Sequence, residues 1–178
     1  MQTALTVVQD PPRPLDLDAG WASHPERAPY AIVDIGSNSV RMVVYDQLGR
    51  APLPRFNEKI TCRLGDGLAQ SGLIGAEGYG RTVAAVRRFR AIAKAMGVAR
   101  LDVIATEALR RAANGAELAA EITAAADVDM RILSGEEEAR FSAMGVISGF
   151  FRPVGLVGDL GGGSLDIAEA LDDRAGER

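Results

Sequence analysis

PVGLVGDLGGGSLDIAEA, residues 153–170, decides how the rest of the chain is read. An apolar run (Val154, Leu156, Val157) ends in Asp159. Gly161, Gly162, Gly163 and Ser164 follow, and a second alternating run begins at Leu165. The pattern predicts strand, tight glycine-rich turn, strand. Glycines in such a turn can take φ > 0 and let backbone N–H groups approach a ligand. Successive bare N–H groups form an anion-binding concavity. An aspartate at its mouth repels phosphate, so its natural work is to hold a divalent cation or a water that meets the phosphate.

The same design occurs earlier. Residues 31–46 read AIVDIGSNSVRMVVYD. With Asp34 laid on Asp159, Ile35 falls on Leu160, Gly36 on Gly161, Ser39 on Ser164 and Val40 on Leu165. One copy alone reads as an ordinary hairpin. Two copies in register point to two phosphate loops facing one cleft.

Length and composition bound the rest. A chain of 178 residues, 47% of them apolar, can build one domain, or one and a fragment, around a real core. A net charge of −4 argues against a dedicated nucleic-acid binder. The single cysteine, Cys62, rules out an internal disulfide and reads as a small core residue on a strand. The single histidine, His24, lies in the leader, so no histidine-based metal cluster or triad is available. No apolar stretch approaches the ~20 residues that span a membrane. The N-terminus lacks the charge pattern of a secretory signal, so the expected location is the cytoplasm.

Residues 1–28, rich in proline, read as a disordered leader that includes Trp21. Residues 29–150 read as a first lobe and 151–178 as the start of a second. Strands are expected at Ala31–Asp34, Val40–Tyr45 and Phe56–Leu64, forming an antiparallel meander. Residues 65–75 read as a glycine-rich loop. A helix over Ala76–Met96, with Val83, Val86, Phe89, Ala93 and Met96 buried, ends at Gly97 as its C′ residue. Arg87, Arg88 and Lys94 lie off that stripe, as a solvated face or a basic wall for a polyanion. A parallel strand follows at Leu101–Ala105, then a helical turn over Thr106–Ala113, a helix over Ala116–Ala126, a strand at Met130–Leu133 and a helix over Ser134–Ser148. The order βββαβαβα fits an α/β fold with a mixed sheet and helices packed on it.

One carboxylate stands apart. Ser134 and Glu137 spell a capping box, and Glu136 favours the helix dipole. Glu138 sits where an apolar residue would be expected and shares a face with Phe141 and Gly145, read as inward. An inward carboxylate needs a partner or a function. It is either a general base or the partner of an arginine such as Arg140 or Arg110. Arg41 and Arg110 could grip phosphate oxygens or lie at the surface as ordinary arginines.

DIGSNSVR (34–41), ATEALRRAANG (105–115), SGEEEAR (134–140) and GDLGGGSLD (158–166) resemble motifs of the exopolyphosphatase / guanosine pentaphosphate phosphohydrolase family. That family belongs to the actin-like ATPase, sugar kinase and Hsp70 superfamily. The resemblance implies a ribonuclease-H-like lobe with a five-stranded mixed sheet and flanking helices, plus the opening hairpin of a second like lobe. It implies a Mg²⁺-dependent hydrolase of inorganic polyphosphate or guanosine pentaphosphate, and a homodimer for the full-length protein. By motif position the catalytic glutamate falls on Glu138, the loop aspartates on Asp34 and Asp159, and the motif arginine on Arg110. An acidic residue that is usually glutamate falls on Asp166, one methylene shorter. Asp34, Asp159 and Asp166 are then the expected metal ligands. Gly36, Ser37, Asn38, Ser39 and Arg41, with Gly161 to Ser164, are the expected phosphate cradle. A non-catalytic polyphosphate or alarmone binder and an ATP-using phosphotransferase of the same superfamily are the alternatives.

Overall fold

The computed structural model describes residues 28–49, 52–162, 165–171 and 174–176. The expected leader, apart from its last residue, and Trp21, His24, Gly163 and Ser164 lie outside the described residues.

Strands β1 (Tyr30–Ile35), β2 (Ser39–Tyr45) and β3 (Pro54–Thr61) form the expected antiparallel meander. Helix α1 (Leu68–Ser71) is short, α2 (Ala76–Ala95) is long, and β4 (Arg100–Ala105) then pairs parallel with β1. Helices α3 (Glu107–Arg111) and α4 (Gly115–Ala126) lead to β5 (Met130–Ile132), parallel to β4. The five strands run in the order β3-β2-β1-β4-β5. Helix α5 (Gly135–Gly149) crosses to a second sheet of β6 (Val154–Leu160), β7 (Leu165–Leu171) and β8 (Arg174–Gly176). The expected hairpin therefore carries a third strand. Among the described residues no helix is long and apolar enough to cross a membrane.

Strand periodicity builds the core and, by the same stroke, aims the site. Ala31, Val33 and Ile35 of β1 and Val40, Met42 and Val44 of β2 are fully buried, with Val86 and Phe89 of α2 and Leu118 and Ile122 of α4 in the same cluster. Each of the Val, Ile, Leu, Met and Phe side chains among them contributes about 1.5–3 kcal/mol on burial. Alternation then forces Asp34, and Arg41 opposite it, onto the other face at the carboxyl end of β1. The Thr106 amide donates to the Ile35 carbonyl, and the Leu133 amide to the Ala105 carbonyl. These bonds align the carboxyl ends of β1, β4 and β5, from which the first glycine loop, α3 and α5 depart. In open α/β sheets that edge is where ligands bind.

Three local expectations differ. The chain leaves β3 at Thr61 rather than Leu64, because the amides of Cys62 and Arg63 both turn to the Asn38 carbonyl (3.0 and 2.9 Å) and Arg63 takes φ 56°. Cys62 is buried just past the strand, not on it. The stretch read as loop contains α1, bracketed by Gly67 and Gly72 at φ 72° and 69°. On α5, Phe141 and Gly145 are exposed, and the buried residue is Ala143. The helix is held by the second sheet, against which it packs with β6, β7 and β8, and that contact sets its inner face.

The second sheet has two unlike faces. Alternation places Ala168 and Ala170 in the buried layer, with Asp159 and Asp166 as a cross-strand pair on the same side. Val154, Leu156, Leu160, Leu165, Ile167 and Leu171 lie on the opposite side and are exposed, Leu160 by 81%.

Candidate active site

The first loop is a strand-to-strand turn closed by the Gly36 amide on the Ser39 carbonyl at 3.0 Å. Its carbonyls are drawn away from the cleft: Ser37 accepts from the Gly65 amide at 2.8 Å and Asn38 from Cys62 and Arg63. Among the described residues neither the Ser37 nor the Asn38 amide donates within the chain, which leaves both free for an anion. The Gly36 amide, expected in the phosphate cradle, is used up inside the turn. Neither Gly36 nor Gly162 takes a positive φ. Glycine serves by small size instead: a Cβ on Gly162 would lie 3.4 Å from the Asn38 Cβ, 3.5 Å from the Asn38 amide nitrogen and 3.6 Å from the Ser37 Cβ. The two glycine loops therefore meet, and a side chain at Gly162 would fill the space above the free amides. Gly161 is exposed beside it.

Around this junction two sets of charges interact: Asp34 with Asp159 and Arg41, and Glu138 with Asp166, Arg110 and Asp159. Partial withdrawal from water raises the pKa of the Asp34 carboxyl, and Asp159 raises it further, while Arg41 lowers it; solvent still reaches Asp34. Glu138 lies at the fourth position of α5, fixed by the capping box: the Ser134 Oγ accepts from the Glu137 amide at 3.1 Å and Glu137 Oε2 accepts from the Ser134 amide at 2.9 Å. Its side chain is 16% exposed. Withdrawal from water raises its pKa, then Asp166, with Asp159 adding, against the hydrogen bond and charge of Arg110. Arg110 Nη1 donates to the Leu133 carbonyl at 2.5 Å and to Glu138 Oε2 at 3.3 Å. Of the two arginines left open by the sequence, Arg110 is thus the partner. Arg140 stands only two residues along the same helix and cannot face Glu138.

Asp166 sits at the helix start. A Cβ on Gly135 would be 3.8 Å from Asp166 Oδ1 and 3.9 Å from Arg110 Nη2. Arg41 Nε is bound to Asn57 Oδ1 at 2.9 Å, at a shallow cavity of about 270 Å³ that Asp34, Tyr45 and Val43 also line. Arg88 of the possible basic wall is paired with Glu58.

Among the described residues no three metal-ligating side chains converge as one cluster, so the set Asp34, Asp159 and Asp166 is not a closed cage. Asp166 is grouped with Arg110 and Glu138 instead. Asp34 and Asp159 remain as an electrostatically coupled pair. That donor set fits Mg²⁺, which takes one or two carboxylates and completes its shell with waters and substrate phosphate. The sequence missed Ser142, whose Oγ donates to Asp159 Oδ2 at 2.7 Å. Its one signal was spacing: it stands four residues after Glu138, on the same helix face.

The Ppx/GppA phosphatase family model matches residues 42–175. Exopolyphosphatase 1 of Mycobacterium tuberculosis is 31% identical over 145 residues, covering 80% of this chain and 42% of the relative. An uncharacterized protein of Streptomyces coelicolor is 34% identical over 144 residues, covering 78% and 42%. Among solved structures, an exopolyphosphatase from Cytophaga hutchinsonii superposes with a TM-score of 0.71 at 25% identity, over 82% of this chain and 47% of that one. The Aquifex aeolicus member of the Ppx/GppA family gives 0.75 at 24% identity, over 84% and 49%, and shows the same fold. The chain spans less than half the length of these relatives.

Proposed function

Since the chain belongs to the Ppx/GppA phosphatase family, we propose that it carries the catalytic face of a Mg²⁺-dependent phosphohydrolase that removes the terminal phosphate of inorganic polyphosphate or the 5′ γ-phosphate of guanosine pentaphosphate. The observation that carries this reading is the meeting of the two glycine loops, Gly162 against Asn38, with Glu138 half-buried beside them.

The amides of Ser37 and Asn38 bind phosphate oxygens, joined by the Ser39 hydroxyl and by the second loop at Gly161 and Gly162. Gly163 and Ser164 extend that loop by motif. Asp34 and Asp159 would hold Mg²⁺, which when bound neutralises charge on the transferred phosphoryl group. Arg110 offers its guanidinium to the same oxygens while keeping Glu138 in place. Glu138 accepts a proton from the attacking water as the water oxygen bonds to the terminal phosphorus. The bridging P–O bond breaks, and the shortened chain leaves with the bridging oxygen. A carboxyl raised from the ordinary range suits a base working near neutral pH.

The test is orthophosphate release from polyphosphate and from guanosine pentaphosphate, each with Mg²⁺ and with a chelator. Release from either substrate that stops on chelation supports the reading, and the ratio of the two rates names the substrate. Binding of both without release would instead favour a polyphosphate or alarmone sensor.

A further inference from the structure

Hydroxyls inside helices usually bond to their own backbone. This chain follows the habit: Ser148 on α5 donates to the Gly145 carbonyl at 2.8 Å, and Thr82 on α2 donates to the Gly78 carbonyl at 2.9 Å. Ser142 breaks it. Its Oγ leaves the helix and donates to Asp159 Oδ2 across the gap to β6 at 2.7 Å. That distance is in the range of a charge-assisted hydrogen bond.

We propose that Ser142 is a positioning residue for Asp159. The inference rests on the reading of Asp159 as a cation ligand given above. Asp159 lies near the end of β6 and is itself exposed, so packing does little to hold its side chain. The terminal torsion of an aspartate is broad when nothing holds it. Ser142 fixes that torsion by occupying Oδ2. Among the described residues Oδ1 accepts no hydrogen bond, so it is available to a cation shared with Asp34. The bond also ties two functional groups to one rigid element. Glu138 and Ser142 stand one turn apart on the same face of α5, so the water-activating carboxylate and the cation-binding carboxylate keep their spacing through the helix. Outer partners that orient a metal-binding side chain typically change metal affinity by about 10- to 100-fold when removed.

The test is Mn²⁺ binding followed by electron paramagnetic resonance on the full chain, with thermal melts as the folding control. The variants are Ser142→Ala, Ser142→Thr, Asp159→Asn and the double variant Ser142→Ala with Asp159→Asn. The expected result is that Asp159→Asn loses Mn²⁺ binding, Ser142→Ala weakens it by about 10-fold or more, Ser142→Thr restores it, and the double variant matches Asp159→Asn alone. Unchanged binding in Ser142→Ala while Asp159→Asn loses it overturns the role of Ser142 and leaves the cation reading standing. Full binding in Asp159→Asn overturns the cation reading of Asp159, and the role of Ser142 falls with it. Loss in Ser142→Ala that Ser142→Thr does not restore shows that the hydroxyl is not what acts, and also overturns the proposal.

Discussion

Replacing Arg110 with methionine tests how the site is held together. The guanidinium satisfies the Leu133 carbonyl at 2.5 Å and Glu138 Oε2 at 3.3 Å. The carbonyl bond contributes about 1 kcal/mol net. The ion pair, with side chains 30% and 16% exposed, stands between a surface pair of about 0.2–1 kcal/mol and a buried pair whose breaking costs about 3–5 kcal/mol. About 1–2 kcal/mol is reasonable for it, or about 2–3 kcal/mol in all, which lowers Tm by about 4–12 °C in a chain of this size. The pH dependence has a definite sign. Arg110 is what holds the Glu138 pKa down, against desolvation, Asp166 and Asp159. Without it the native pKa of Glu138 rises further. The stability deficit is then largest above that pKa, where the unpaired carboxylate is charged, and shrinks as the pH falls and Glu138 becomes neutral. The acid limb of the hydrolysis rate moves to higher pH, because the base is ionised over a narrower range. Calorimetric melts and phosphate-release profiles across acid to neutral pH read both effects. A Tm deficit that grows on acidification, or an acid limb that stays in place, refutes the reasoning.

Two further outcomes follow from particular atoms. Gly115→Ala would place a Cβ 1.9 Å from the Leu109 carbonyl oxygen, so the α3–α4 junction must move; a loss of at least about 2 kcal/mol is expected, and an unchanged melting curve contradicts the close approach. Asp34→Asn removes a carboxylate whose native pKa is raised by its surroundings and by Asp159, so the variant should melt higher than the parent at neutral pH. That gain should vanish as the pH falls through the raised native pKa and below the ordinary aspartate value of about 3.9, and a variant that melts lower at neutral pH contradicts the electrostatic account.

The first sheet could be read from the residues because β1 and β2 bury one face only, and a period of two is unambiguous in such strands. The end of α2 at Gly97 was equally plain, since that glycine takes φ 68° after the Met96 cap. Helix α1 was hidden: four residues between two left-handed glycines carry no periodicity. The inner face of α5 was misread because it depends on a sheet formed later in the chain. Alternation along β6 and β7 places Asp159 and Asp166 on one side, yet nothing local says that this side meets α5. In the glycine loops, close approach by a small residue is met at Gly162, where Asn38 lies against it, while the expected positive φ is not found at Gly36 or Gly162. Glu138 is partly buried, but what surrounds it is Arg110 and the Asp159–Asp166 pair rather than the expected face of Phe141 and Gly145, which is exposed.

Orthophosphate release by Glu138→Gln, measured beside the parent chain on polyphosphate with saturating Mg²⁺, bears most directly on the whole account. Glutamine keeps the size and can still accept from Arg110, so folding and polyphosphate binding should persist while turnover falls by at least about 100-fold. Turnover at the parent rate would show that the water is activated elsewhere and that the junction of the two loops is not where hydrolysis occurs.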